Sequence, residues 1–292
     1  MRGEFYEPKR IVTKAIKEAE KEGLLGKNIL GSGFDLEVII HMGAGAYICG
    51  EETALLNSLE GHKGWPRLKP PFPAVVGAFG CPTVINNVET LSGVPHILRM
   101  GGEQFQKLGT ENDGGTKLFG VSGHVEKPGI YELTMGSSLK ELIYDVCGGV
   151  KDGKNLKAVI PGGSSTPVLK PDEIDVPLEF EAMMAAGTML GSGAVIVLDE
   201  TVSIPHIFMV MTRFYAHESC GQCSQCREGC TWIYKISQKI LAGEGKPSDL
   251  DLILDLADNI NGKTVCPLGA AMAMPATAFV EKFRDEFLAM MN

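Results

Sequence analysis

Cys220, Cys223 and Cys226 stand three residues apart, with Cys230 four further on and Cys266 far downstream. Thiolates at that spacing can face one centre from a tight loop, and three of them match an iron–sulfur cluster that still needs a ligand. Two residues compete for the fourth place. Cys230 completes C-x2-C-x2-C-x3-C, but in ferredoxins of that spacing the last cysteine serves another cluster and is followed by Pro, whereas Thr231 follows here. Cys266 precedes Pro267 and opens the last helical stretch, where a bundle could return it to the loop; it is the favoured ligand. A structural zinc site could use the same thiolates, although such sites read more often as two separated C-x2-C knuckles. Cys49, Cys81, Cys147 and Cys230 read as small buried hydrophobes, and His217 as an ordinary surface histidine.

A second set of residues suits a nucleotide. Gly43 and Gly45 let backbone approach a ligand closely, and the N–H groups at the start of a following helix attract an anion. The spacing is not G-x-G-x-x-G, because Ile48 occupies the last position. Glu51 and Glu52 are either helix N-terminal acids favoured by the dipole or acceptors for ribose hydroxyls that disfavour a 2′-phosphate. Of Asn86 and Asn87, helix capping explains one and leaves the other for a ligand's polar edge.

These residues need elements to position them. Residues 9–22 place Ile11, Val12, Ala15, Ile16 and Ala19 at helical spacing. A short strand over Leu36 to Ile40, the glycine loop and a helix over Glu51 to Leu59 follow the grammar of an α/β nucleotide-binding unit. Proline-rich Pro66 to Pro82 predicts an ordered loop, and Thr90 to Met100 a helix with a break at Pro95. Lys117 to Val125, Ile130 to Leu133 and Lys157 to Ile160 read as strands around a short helix at Ser138 to Cys147, a small β-grasp-like α+β domain. Helices over 205–218, 228–242, 248–260 and 268–290 then make a bundle.

With 292 residues, 44% of them hydrophobic, the chain can bury a real core and has room for about two domains. Its net charge of −9 argues against a nucleic-acid or anionic-membrane surface. Apolar runs such as Ala194 to Leu198 fall far short of the roughly 20 residues that span a bilayer, and the charged start, Met1 to Arg10, is no signal segment. These features predict a cytoplasmic protein, or one on the cytoplasmic side of something larger, where cysteines act as ligands before they act as disulfides.

Four stretches together resemble a known family. They are Gly43-Ala44-Gly45-Ala46-Tyr47-Ile48-Cys49-Gly50-Glu51-Glu52-Thr53-Ala54-Leu55, the run Pro66 to Pro73 with Asn86 to Thr90, and Glu218 to Gly229 around the cysteines. They resemble the NADH-binding flavoprotein subunit of respiratory complex I, which also occurs as the diaphorase subunit of NAD-linked hydrogenases and formate dehydrogenases. The resemblance implies a partial Rossmann-like FMN and NADH domain over 1–108, a ubiquitin-like soluble-ligand-binding (SLBB) β-grasp domain over 109–201, and a four-helix bundle over 202–292. It implies that Gly43, Gly45, Tyr47, Glu51, Asn86, Asn87 and Thr90 surround FMN and that Glu52 faces the NADH ribose. Cys220, Cys223, Cys226 and Cys266 would hold a [4Fe–4S] cluster. A hydride would pass from NADH to FMN, and single electrons through the cluster to a thioredoxin-like [2Fe–2S] subunit and a larger iron–sulfur subunit. The family carries a further glycine-rich FMN loop upstream of the helix at 9–22; the resemblance starts after it, which leaves flavin binding by this chain alone in doubt. A non-catalytic iron–sulfur relay and docking subunit without flavin is the competing expectation.

Overall fold

The computed structural model describes residues 1–291 and divides into two compact units, Met1–Ile85 and Asn86–Asn292. In the first unit, helix α1 (Tyr6–Lys21) carries the expected apolar stripe, yet none of its residues is buried. The predicted strand at Leu36 to Ile40 is a correction: it joins no ladder, and Leu36 meets only Gly26 in an isolated bridge with N–H···O distances of 2.8 and 2.9 Å. A strand is defined by its neighbours' hydrogen bonds, and among the described residues of this unit no second strand lies alongside. A single helical turn (Tyr47–Gly50) leads into α2 (Glu52–Leu59), which buries Thr53, Ala54 and Leu56. The proline-rich loop is tied back onto α2 by Arg67, whose guanidinium donates to Asn57 Oδ1 at 2.9 Å and to Glu60 at 2.8 Å.

The second unit opens with α3 (Val88–Met100), which runs through Pro95 without the predicted break, and α4 (Gly102–Gln106). The Glu89 carboxylate of α3 accepts from Leu118 N–H at 2.8 Å and from Lys117 at 3.0 Å, binding α3 to the first strand. The sheet comprises β1 (Thr116–Gly123), β2 (Gly129–Thr134), β3 (Leu156–Ile160) and β4 (Ala194–Asp199) in the order β2-β1-β4-β3. β1 and β4 run parallel; the two outer pairings are antiparallel. Strand β4 is the apolar run that the sequence marked only as too short for a membrane span. The short helix α5 (Leu139–Glu141) continues as a wider π turn over Leu142–Val146, and with α6 (Phe180–Ala185) it covers a core of Phe119, Leu139, Leu142, Ile143, Val195 and Val197.

The bundle is α7 (Ile204–Glu218), α8 (Ser224–Leu241), α9 (Pro247–Ile260) and α10 (Leu268–Lys282), followed by α11 (Arg284–Ala289). The single helix expected over 268–290 breaks at Phe283, where φ and ψ are −126° and 27°. That break turns Phe287 onto Phe208, with ring centroids 5.3 Å apart at 88°, while Phe279 meets Phe208 at 6.2 Å. Sheet and bundle are stitched together: Lys157 of β3 donates to Val202 O at 2.6 Å and to Glu286 of α11 at 3.2 Å, and Lys282 reaches Glu173 at 2.6 Å. No helix among the described residues is long and apolar enough to cross a membrane.

Candidate functional site

The cysteine centre is built by three pieces of the bundle. Helix α7 ends at Glu218; Ser219 and Cys220 follow, and Gly221 turns the chain with φ of +80°, a conformation that glycine adopts without strain. Cys223 is the cap residue of α8 and Cys226 lies in its first turn, where the helix dipole favours a thiolate. Cys266 arrives in the loop between α9 and α10, beside Pro267, the cap residue of α10. Arg227 braces the loop by donating to Gly221 O at 2.7 Å.

Electrostatics tie the four sulfurs together. Burial pushes the Cys220 thiol up, and the neighbouring Cys226 and Cys223 push it further. Burial raises Cys266 to about 11, helped by the charges of Cys220, Cys226 and Cys223. Cys226 is lowered to about 7, chiefly by a hydrogen bond from Cys230 and also by one from Ser219, against the opposing effect of burial. Cys230 moves the other way and keeps its proton, because it is the donor of that pair and is buried. Thiols that repel one another's ionisation are relieved by an intervening cationic group, so this donor set fits an iron–sulfur cluster. Val265 N–H already points at Cys223 Sγ at 3.3 Å, and the Ser219 hydroxyl lies 3.2 Å from Cys226 Sγ. Among the described residues, no three His, Cys, Asp or Glu side chains close in tightly enough for a single metal ion.

The other cysteines diverge from one another. Cys147 and Cys230 are buried as expected, but Cys49 is half-buried and Cys81 is exposed at the end of a loop turn, correcting the buried reading for both. His217 is exposed and pairs with its neighbour Glu218 at 3.3 Å.

In the first unit the glycine loop is engaged by residues 1–3. Gly43 N–H donates to Met1 O at 2.8 Å, and a side chain at Gly3 would lie 2.5 Å from Gly43 O and 2.8 Å from Gly45 N. Gly45 has φ of +85°. Tyr47 is 46% exposed. Glu51 caps α2: its carboxylate accepts from Thr53 N–H and Ala54 N–H, both at 2.9 Å, and from the Thr53 hydroxyl at 2.6 Å. Burial pushes the Glu51 carboxyl up, but these bonds and the Lys69 ammonium outweigh it and leave it below its ordinary value. Lys69 lies 3.3 Å from Glu51 and bonds Glu52 directly; the Glu52 contact is the main reason its own pKa is raised. Sequence reasoning missed Lys69, whose signal was its place in the proline-rich run.

The asparagine pair belongs to the second unit. Asn87 Oδ1 caps α3 by accepting from Glu89 N–H at 2.8 Å, while Asn86 and Thr90 are exposed.

A region resembling a flavoprotein's nucleotide-binding end, a β-grasp domain and a cysteine-bearing bundle thus follow one another in one chain, the order of an NADH-linked electron-transfer subunit. Residues 1–96 match the Nuo51 FMN-binding domain, 117–197 an SLBB domain, and 206–290 the NADH-ubiquinone oxidoreductase-F iron–sulfur binding region. The F subunit of the NADH-quinone oxidoreductase of Rickettsia conorii (strain ATCC VR-613 / Malish 7) is 51% identical over 287 residues, covering 98% of this chain and 68% of that protein. The F subunit of Mycobacterium tuberculosis (strain ATCC 25618 / H37Rv) is 51% identical over 289 residues, covering 99% of this chain, which spans 65% of its length. The crystal structure of an NAD+-reducing [NiFe]-hydrogenase in the H2-reduced state superposes with a TM-score of 0.86 at 35% identity, covering 100% of this chain and 48% of that one. The chain belongs to the family of NADH-quinone oxidoreductase F subunits.

Proposed function

We propose that this chain is the NADH-oxidising subunit of a multi-subunit redox complex, carrying FMN and one [4Fe–4S] cluster bound by Cys220, Cys223, Cys226 and Cys266. The observation that supports the reading is that Val265, the neighbour of Cys266, donates to Cys223 Sγ at 3.3 Å within a segment that matches an iron–sulfur binding region. When bound, the two cofactors supply the conversion of a hydride into single electrons. The chain's residues bind and orient: α8 and the Val265 and Ser219 donors hold thiolates, and Gly43, Gly45, Tyr47, Glu51, Asn86, Asn87 and Thr90 serve the flavin. Glu52 accepts from the NADH ribose hydroxyls and repels a 2′-phosphate. Electrons leave to a thioredoxin-like [2Fe–2S] subunit and a larger iron–sulfur subunit, on the cytoplasmic side of the complex. The functional segments are 1–108, 109–201 and 202–292.

A second reading, an electron relay without flavin, is favoured by one observation: the glycine loop packs on Met1–Gly3, and Glu51 and Glu52 already have protein partners. Iron, labile sulfide and acid-released flavin in the purified protein decide between them. Four irons with FMN support the first reading, four irons without flavin the second, and absence of iron defeats both. In flavin-loaded enzyme, Glu52→Ala should raise the NADPH/NADH rate ratio by about tenfold, the order expected for about 1.4 kcal/mol of lost discrimination; an unchanged ratio removes Glu52 from the site.

A further inference from the structure

Cys230 sits one helical turn beyond Cys226 on α8, and residues four apart share one face of a helix. Its side chain is fully buried, and its sulfur lies 3.8 Å from that of Cys226, within hydrogen-bonding reach for a thiol. On the other side of Cys226 stands the Ser219 hydroxyl at 3.2 Å. Cys226 is thus flanked by two side chains able to donate to it, whereas Cys223 is approached by the backbone N–H of Val265. A protonated Cys is a weak donor, and burial strengthens the bond it makes.

We propose that Cys230 is neither a cluster ligand nor a filler of the core, but a donor whose S–H bonds to the Cys226 thiolate and raises the reduction potential of the cluster. The inference rests on the ligand set proposed above. A hydrogen bond to a ligating sulfur withdraws electron density from it, which favours the reduced, more negative state of the cluster. Cys230 acts through Cys226 and is therefore a positioning and tuning residue.

The test is an EPR-monitored redox titration of the anaerobically purified, cluster-loaded chain as wild type, Cys230→Ala and Cys230→Ser, with iron and sulfide measured on each. The expected result is equal iron in all three, a midpoint shifted to more negative potential in Cys230→Ala, and a midpoint at or above wild type in Cys230→Ser, whose hydroxyl is the better donor. An unchanged midpoint in Cys230→Ala overturns the proposal. So does a shift that Cys230→Ser fails to restore, which would mark a packing effect, and so does loss of iron in both variants, which would make Cys230 a ligand. Failure of the underlying ligand reading shows differently, as wild-type protein without iron or as Cys266→Ala retaining a full cluster.

Discussion

The cysteine centre and the glycine loop lie in regions built in opposite ways. Around the cysteines, every approaching element is anchored in a closed core: Phe208, Tyr215, Ile233, Ile260 and Phe279 are fully or almost fully buried. Around the glycines, α1 buries nothing, and Glu51 and Glu52 are bonded to Thr53 and Lys69. A site whose loops are held between packed helices is kept in place by the energy of the fold. A site on exposed loops takes its shape from whatever lies against it, here the segment Met1–Gly3.

The sharpest way to break this contrast is Cys266→Ala. It should abolish cluster binding, read as loss of iron, of sulfide and of the reduced-state EPR signal, while far-UV circular dichroism stays close to wild type. Next comes the packing that supports the centre. Phe208→Ala should lower unfolding stability by about 3–5 kcal/mol in denaturant titration, because it empties the site against which the Phe279 and Phe287 rings pack edge-on. An effect below about 1 kcal/mol would mean that the bundle does not hold the centre by its core.

A smaller effect belongs to Asp199 at the end of β4. The Thr201 hydroxyl, at 2.5 Å, does most to hold its carboxyl down at about 2, with burial opposing and Thr201 N–H and Lys154 assisting. A carboxylate whose pKa is depressed in the folded state adds stability above its unfolded value of 3.8, and this is lost as pH falls toward about 2. Asp199→Asn should cost about 1–3 kcal/mol at neutral pH and flatten the stability profile across that acid window. The smallest effect tests the loop region: Glu51→Ala removes the α2 cap and should cost about 1 kcal/mol, seen as faster proteolysis at α2 with the cluster's iron unchanged. Loss of iron in this variant would show that the two regions are not independent.

The iron–sulfur binding region was legible because the spacing of its thiols is itself a chemical statement. Helices with one apolar face were also legible; the stretches expected at 205–218 and 248–260 lie within one residue of α7 and α9 at each end. What escaped had tertiary causes. Strand β4 was hidden because a strand with buried side chains reads as an apolar run of no particular kind. The run at Leu36 was over-read because its periodicity says nothing about whether a neighbour exists. Phe283 breaks the last helix to let Phe287 reach Phe208, a demand made from another element. Lys69 could not be matched to Glu52 without seeing the loop fold back, and the S–H of Cys230 has no signature apart from its distance to Cys226.

The stitch between Lys157 and Glu286 joins residues 129 positions apart, with the whole bundle between them. The border strand of the sheet therefore lacks its final fastening until α11 has left the ribosome. A nascent chain paused after the cysteine loop would hold a middle domain still loose at one margin.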